Sequence, residues 1–257
     1  MFFNRRLPQN PPVDGIINVD KPAGISSARA VDRVRALTRQ RKSGHAGALD
    51  PAATGVLVVC LGKATKLVEA VMEQPKVYRA VARLDVTSDS FDADRPLLPV
   101  AVAAPPSSEA VREACKTFEG LIDQTPPAIS AVKVGGVPAY RRALRGEMPA
   151  LAARPVRIYW LHVQAYEWPE LRLDLCCGRG TYVRSLVRDL GQHLRTGGCL
   201  MSLRRSRVGP FAEEQAWSFE ALGSASSGEF LIGLAEARPL LDSANTVIPP
   251  RPGAREA

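Results

Sequence analysis

The stretch SGHAGALDPAATGVLVVCL, residues 43–61, decides how the chain reads. Its second half, GVLVVCL (55–61), is an unbroken apolar run of strand length, suited to a buried β-strand. Its first half is unlike a strand or a helix. Three glycines, Gly44, Gly47 and Gly55, allow backbone shapes that other residues resist. Asp50 stands before Pro51, which biases it away from the helical region toward an extended conformation. A carboxylate is therefore carried on a glycine-bracketed loop immediately ahead of a buried strand, which makes a rigid mount. An isolated Asp-Pro pair is more often a cap or an Asx turn, so the chemistry of Asp50 depends on what surrounds it.

Upstream, IINVD (16–20) reads as a strand that ends in the turn KPAG, and Ser26 or Ser27 can cap a helix over roughly 28–38. Downstream, residues 65–74 read as a helix and VYRAVARL (77–84) as another strand. SSEAVREACKTFEG predicts a helix capped by Ser108 and stopped by Gly120, with Val111, Ala114, Cys115 and Phe118 at i, i+3, i+4 and i+7. A short helix is expected over 138–145. RPVRIYWLHVQAYEW (154–168) and LRLDLCC (171–177) alternate like paired strands, GTYVRSLVRDLGQHL reads as a helix, and LMSLRRSRVG (200–209) as a last strand. Strands and helices mix without a regular βαβ rhythm. This points to an α+β fold with a mixed, largely antiparallel central sheet flanked by helices. Residues 1–13 are read as a flexible N-terminal arm, 14–222 as one catalytic domain, and 223–257 as a linker and short tail.

The 257 residues are 46% apolar and 23% charged, an ordinary globular composition, with a net charge of +8 and a pI near 9.5. That balance favours an acidic partner such as nucleic acid. No stretch approaches the ~18 consecutive apolar residues of a membrane helix, and no signal-like apolar region follows Arg5 and Arg6, so a cytoplasmic protein is expected. The five cysteines form no C-x-x-C pair, and His45, His162 and His193 show no ligand spacing, so neither a disulfide framework nor a metal site is expected. Gly62-Lys63 fails as a phosphate loop because Leu57 and Ala64 occupy positions that need Gly and Ser or Thr. Ser130-Ala-Val-Lys133 lacks the companion motifs of an S-x-x-K hydrolase.

In order along the chain stand KPAGISS (21–27), GHAGALDPAATGVLVVCLGKATK (44–66), KVYRA (76–80), SDSFDAD (88–94), QTPPAISAVKVGGVPAYRRALRGE (124–147), GRGTYVRSLVRDLG (178–191) and LRRSRVGPF (203–211). This succession resembles the TruB family of pseudouridine synthases, whose signature is the segment G-H-x-G-x-L-D-P-x-A-T-G-x-L. The resemblance covers roughly residues 14–222.

The resemblance implies that Asp50 is the catalytic nucleophile, that Tyr78 stacks on uracil and serves in proton transfer, and that Arg184 pairs with the nucleophile. It implies that Tyr182 and Leu203 line the base pocket and that His45 pushes into the RNA as bases flip out. Asp92 would contact the active-site Arg, with Asp89 and Asp94 as competitors, and Lys21 would lie near the site in a structural or phosphate-facing role. Attack at C1′, attack at C6 and a glycal route all stay open. The implied substrate is the T stem-loop of tRNA with no cofactor; no metal or membrane is expected from the sequence, and a monomer is the default expectation. A catalytically idle RNA-folding protein on the same scaffold, or a synthase acting on another RNA, are the competing readings. Arginines 29, 33, 35, 39 and 41 with Lys42, Arg141, Arg142 and Arg145, and Arg204, Arg205 and Arg207 form basic clusters suited to phosphates. The sequence departs from the family pattern at Ile129-Ser130-Ala131, where an aromatic is usual, at Ser88-Asp89-Ser90, and in a tail too short for a complete PUA domain.

Overall fold

The computed structural model describes residues 13–130, 132–143, 145–147, 151–244 and 248–253. Most of the proposed N-terminal arm and the end of the tail lie outside them. The chain opens with β1 (Gly15–Lys21), α1 (Ser27–Thr38), β2 (Ser43–His45), β3 (Thr54–Leu61), a 3-10 turn (Gly62–Leu67) and α2 (Val68–Glu73). It continues through β4 (Lys76–Arg83), the short pair β5 (Val86–Thr87) and β6 (Leu98–Pro99), α3 (Ser108–Thr117) and β7 (Gly120–Gln124). Then come β8 (Lys133–Val134), β9 (Val137–Pro138), α4 (Ala139–Ala143), the long β10 (Arg154–Glu167), β11 (Glu170–Cys177) and α5 (Val183–His193). The last elements are β12 (Cys199–Val208), β13 (Phe211–Ala212), α6 (Phe219–Ser224), α7 (Ser227–Phe230) and α8 (Leu234–Ala244).

The described residues fall into two compact units, 13–74 with 204–244, and 75–203 with 248–253. In the first unit β3 lies between antiparallel β1, in register Lys21↔Gly55 to Gly15↔Leu61, and parallel β12, in register Arg204↔Thr54 and Arg205↔Gly55. The apolar run of β3 is explained by burial on both faces. Val56, Val58 and Cys60 pack with Leu67, Val71, Ala237 and Leu241 on one side. Leu57, Val59 and Leu61 pack with Ala30, Val31, Val34, Leu222 and Phe230 on the other. Residues beyond 213 therefore complete this core: α8 brings Ala237 and Leu241, and α7 brings Phe230 and carries a Ser226–Glu229 capping box. From sequence, 223–257 reads only as a linker and short tail.

In the second unit β4, β11, β10 and β7 follow one another as antiparallel neighbours. Val111, Ala114 and Cys115 of α3 and Val183, Leu186, Val187 and Leu190 of α5 are buried. The α3 helix is capped by Ser107, whose side chain accepts from the Ala110 N–H, one residue before the expected Ser108. Most of the described ladders are antiparallel and that of β3 with β12 is parallel, so the fold is α+β with a mixed, largely antiparallel sheet. All five cysteines are buried free thiols, and burial pushes Cys60, Cys115 and Cys176 up to about 12, so they serve as core residues. Among the described residues no helix is long and apolar enough to cross a membrane, and no three potential metal ligands cluster.

Candidate active site

The loop between β2 and β3 is fixed residue by residue by side chains of its own unit. Gly47 and Gly55 stand at φ +100° and +98°, conformations that L side chains rarely adopt. At Gly55 the requirement is also steric, since a Cβ there would lie 2.2 Å from the backbone oxygen of Arg205. Between them, Leu49 is held on both of its backbone groups by one hydroxyl: Ser27 Oγ accepts from the Leu49 N–H at 2.8 Å and donates to the Leu49 carbonyl at 3.0 Å. The Pro51 carbonyl accepts from the Gly24 N–H at 2.9 Å and from Lys21 Nζ at 3.2 Å. The Asp50 carbonyl accepts from the Ala53 N–H at 3.1 Å, closing a tight turn. The half-buried Asp50 side chain rises from a backbone tied down on either side.

The serine pair before α1 divides its work. Ser26 caps the helix by accepting from the Arg29 N–H at 3.2 Å, whereas Ser27, 3% exposed, is committed to the loop. Sequence reasoning treated the two as alternatives for one role. Nothing in a helix-capping pattern signals a partner twenty-two residues away.

Lys21 is fully buried, and its ammonium donates to the carbonyls of Pro22 (2.9 Å), Ile25 (2.8 Å) and Pro51. Burial pushes its pKa down to about 8; the neighbouring Asp50 carboxylate opposes that shift, and the Arg205 guanidinium adds to it. The ammonium has no exposed face for a phosphate, so the phosphate-facing alternative gives way to an internal one. His45 ends β2, and burial, with the charge of Arg205, pushes its imidazole below its ordinary value. Its Nδ1 is buried without a hydrogen-bond partner among the described residues.

Arg205 was grouped by sequence with phosphate-facing arginines, and the structure corrects this. It is 1% exposed, and its guanidinium donates to Val56 O (2.7 Å), Gly47 O (3.0 Å) and Ala48 O (3.5 Å). Arg204 beside it is occupied by Asp20 at 3.1 Å and Glu213 at 2.6 Å. In alternating strand sequence, R-R-S-R marks a charged face equally well whether the partners are phosphates or carbonyls, so the distinction was not legible.

The second unit holds Tyr78, Asp92, Tyr182, Arg184 and Leu203. Tyr78, 8% exposed, stands on β4 opposite Leu175 of β11. Arg184 lies in the first turn of α5, 6% exposed, where Nη1 donates to Ser90 O (3.2 Å) and Nη2 to Ile129 O (3.0 Å). Tyr182 is the half-buried N-cap of that helix; its N–H is received by the Gln124 side-chain oxygen at 2.8 Å. Ser185 Oγ and Arg188 Nη2 donate to Thr125 O at 2.8 and 3.0 Å, so the start of α5 is pinned along the 124–129 segment. Of the three candidate acids, Asp92 is buried while Asp89 and Asp94 are exposed. The Asp92 N–H donates to Ser88 Oγ at 3.0 Å, and its residue bridges Leu200 of β12. Leu203 is half-buried on β12. The structure thus assembles Lys21, His45 and Asp50 around Arg205 in the first unit. In the second it holds Arg184 against the Ser90 carbonyl, two residues from Asp92.

Residues 35–183, more than half of the chain, match the model of the TruB family pseudouridylate synthase N-terminal domain, and residues 184–229 match that of the tRNA pseudouridylate synthase B C-terminal domain. Fold and motif together define an RNA-modifying isomerase, a pseudouridine synthase. The chain is 46% identical over 216 residues to tRNA pseudouridine synthase B of Xanthomonas euvesicatoria pv. vesicatoria, covering 83% of this chain and 70% of that protein. It is 44% identical over 219 residues to the protein of the same name from Thermobifida fusca, covering 82% and 75%. The chain belongs to the TruB family of pseudouridine synthases. Among solved structures it is similar to a chain of a Cbf5-Nop10-Gar1 complex, with a TM-score of 0.63 and 31% identity over 80% of this chain. It is also similar to a chain of an H/ACA RNP bound to a substrate RNA containing 2′-deoxyuridine, with a TM-score of 0.60 and 26% identity over 86% of this chain. It spans 52% and 60% of the lengths of those two chains.

Proposed function

We propose that this protein converts a uridine in the T arm of tRNA to pseudouridine, with Asp50 as the nucleophile. The observation that carries the proposal is the rigid mounting of the Asp50 loop: Ser27, Lys21 and Arg205 fix its backbone at Leu49, Pro51, Gly47 and Ala48. A nucleophile held in place needs little reorganisation to meet its target. The relatives named for tRNA and the basic balance of the chain, +8, support an RNA substrate.

Along the C1′ route, one of the three open to a carboxylate nucleophile, Asp50 attacks C1′ and the N1–C1′ bond breaks, leaving uracil as the anion and the ribose as an ester of Asp50. The uracil turns, its C5 attacks C1′, and the carboxylate leaves with the bonding pair. The proton on C5 is then lost and N1 gains one, so the product is an isomer of the substrate. No redox equivalent enters the balance. Tyr78 and Arg184 are the aromatic and the cation that the family resemblance assigns to base stacking and to the nucleophile. A uridine within a folded T arm must first be extruded at a cost of a few kcal/mol, which is the role proposed for His45.

The test uses tRNA transcribed with tritium at uridine C5. Conversion releases the label to water because C5 becomes bonded to C1′. Release of about one equivalent per tRNA, abolished when the T-arm uridine is replaced by cytidine, supports the reading. Release that survives that replacement moves the site elsewhere in the RNA and overturns the T-arm assignment.

A further inference from the structure

Arg205 is a buried cation held by backbone carbonyls. Its side chain is 1% exposed, and its guanidinium meets the backbone carbonyls of Gly47, Ala48 and Val56. The basic groups of Lys21 and His45 feel its charge unfavourably. A buried charge is costly to desolvate unless its donors find partners. Each of its three nitrogens finds a carbonyl in the Asp50 loop or in the start of β3. Nη2 and Nη1 donate to Gly47 O (3.0 Å) and Ala48 O (3.5 Å) before Asp50, and Nε donates to Val56 O (2.7 Å) after it. One planar fork therefore grips the two ends of the loop, and its backbone is locked to the same place by the Arg205↔Gly55 register. The Arg205 oxygen occupies the space a side chain at residue 55 would need.

We propose that Arg205 is a positioning residue for the reaction, a clamp that sets the height and direction of the Asp50 carboxylate. This deepens the proposed function and rests on Asp50 being the nucleophile. Lysine cannot replace the clamp: its single ammonium lacks the planar fork that reaches carbonyls in two directions. An arginine serving RNA phosphates instead would keep its head in solvent, and its loss would weaken binding in a salt-dependent way.

Arg205→Met and Arg205→Lys are compared with wild type and with Asp50→Asn by single-turnover kinetics on unmodified tRNA under saturating enzyme, alongside tRNA binding and circular dichroism. The expected result for Arg205→Met is a rate constant about 100-fold lower, the scale of a ~1 Å misplacement of reacting groups, with tRNA affinity within about threefold of wild type. Arg205→Lys is expected to lose activity by a smaller factor at equal affinity, so it decides the matter if Arg205→Met does not fold. A folded variant with a wild-type rate, or a rate loss matched by an equal loss of affinity, overturns the clamp. If Asp50→Asn remains active, the nucleophile assignment has failed, whereas an inactive Asp50→Asn beside fully active Arg205 variants sinks the clamp alone.

Discussion

Replacing Gly55 by alanine probes how tightly the loop-to-strand junction is built. The residue sits at φ +98°, and its added Cβ would lie 2.2 Å from the Arg205 backbone oxygen. Since carbon–oxygen contacts between strands normally run about 3.3–3.6 Å, β3 and β12 would have to part by roughly 1 Å. The left-handed backbone costs an alanine roughly 1–2 kcal/mol. Parting the strands also disturbs the parallel ladder and the 2.7 Å bond from Arg205 Nε to Val56 O, one residue on. One or two weakened buried hydrogen bonds add about 1–3 kcal/mol, for a total of about 2–5 kcal/mol. In a chain of this length that corresponds to a fall in melting temperature of roughly 4–20 °C. Gly44→Ala is the control, because its backbone lies outside the positive-φ region and a Cβ there meets no atom within 4 Å. Thermal melts followed by circular dichroism make the comparison. Gly55→Ala melting within about 2 °C of wild type refutes the steric argument, since 2 °C corresponds to at most ~1 kcal/mol.

Ser27→Ala leaves both backbone groups of Leu49 without their buried partner, and is expected to cost about 1–3 kcal/mol in urea denaturation, whereas Ser26→Ala costs only the ~1 kcal/mol of an exposed cap. Arg184→Lys should lower the single-turnover rate by tenfold or more in order of magnitude, because an ammonium cannot bridge the Ser90 and Ile129 carbonyls as two guanidinium nitrogens do; tritium release reads this directly. Lys21 titrates near 8 in the folded protein against 10.5 when unfolded, so the unfolded chain binds more protons between those values. Its contribution to stability therefore rises with pH from 8 to 10.5, and Lys21→Met should flatten that part of the stability profile. His45 has the same sign in another window: its folded pKa lies below 6.5, so stability falls as the pH drops below 6.5, and His45→Gln should blunt that loss in melts taken at decreasing pH.

Local patterns were legible in the sequence where local physics decides them. The run 55–61 became β3, the alternation over 154–168 and 171–177 became the β10–β11 hairpin, and the periodicity of Val111, Ala114 and Cys115 became the buried face of α3. The loop carrying Asp50 was legible as a mount because its glycines and Asp-Pro pair are local features. What holds it was not. Ser27, Lys21 and Arg205 reach it from twenty-two to more than one hundred and fifty positions away in sequence. A buried arginine facing carbonyls has the same letters as an exposed one facing phosphate. Residues 223–257 read from sequence as a linker and short tail, yet Ser226 and Glu229 in that stretch form a capping box. Phe230, Ala237 and Leu241 then close the core over β3, through packing that only the folded strand can reveal.

The central claim, that Asp50 makes this chain a tRNA-modifying enzyme, is tested most directly by incubating unmodified tRNA with wild type and with Asp50→Asn. Pseudouridine is mapped by carbodiimide labelling and primer extension, and tRNA binding is measured on both proteins. The account predicts pseudouridine at the T-arm uridine with wild type alone and equal binding by the two proteins. Binding by both with modification by neither contradicts it and leaves an RNA-folding protein on a synthase scaffold.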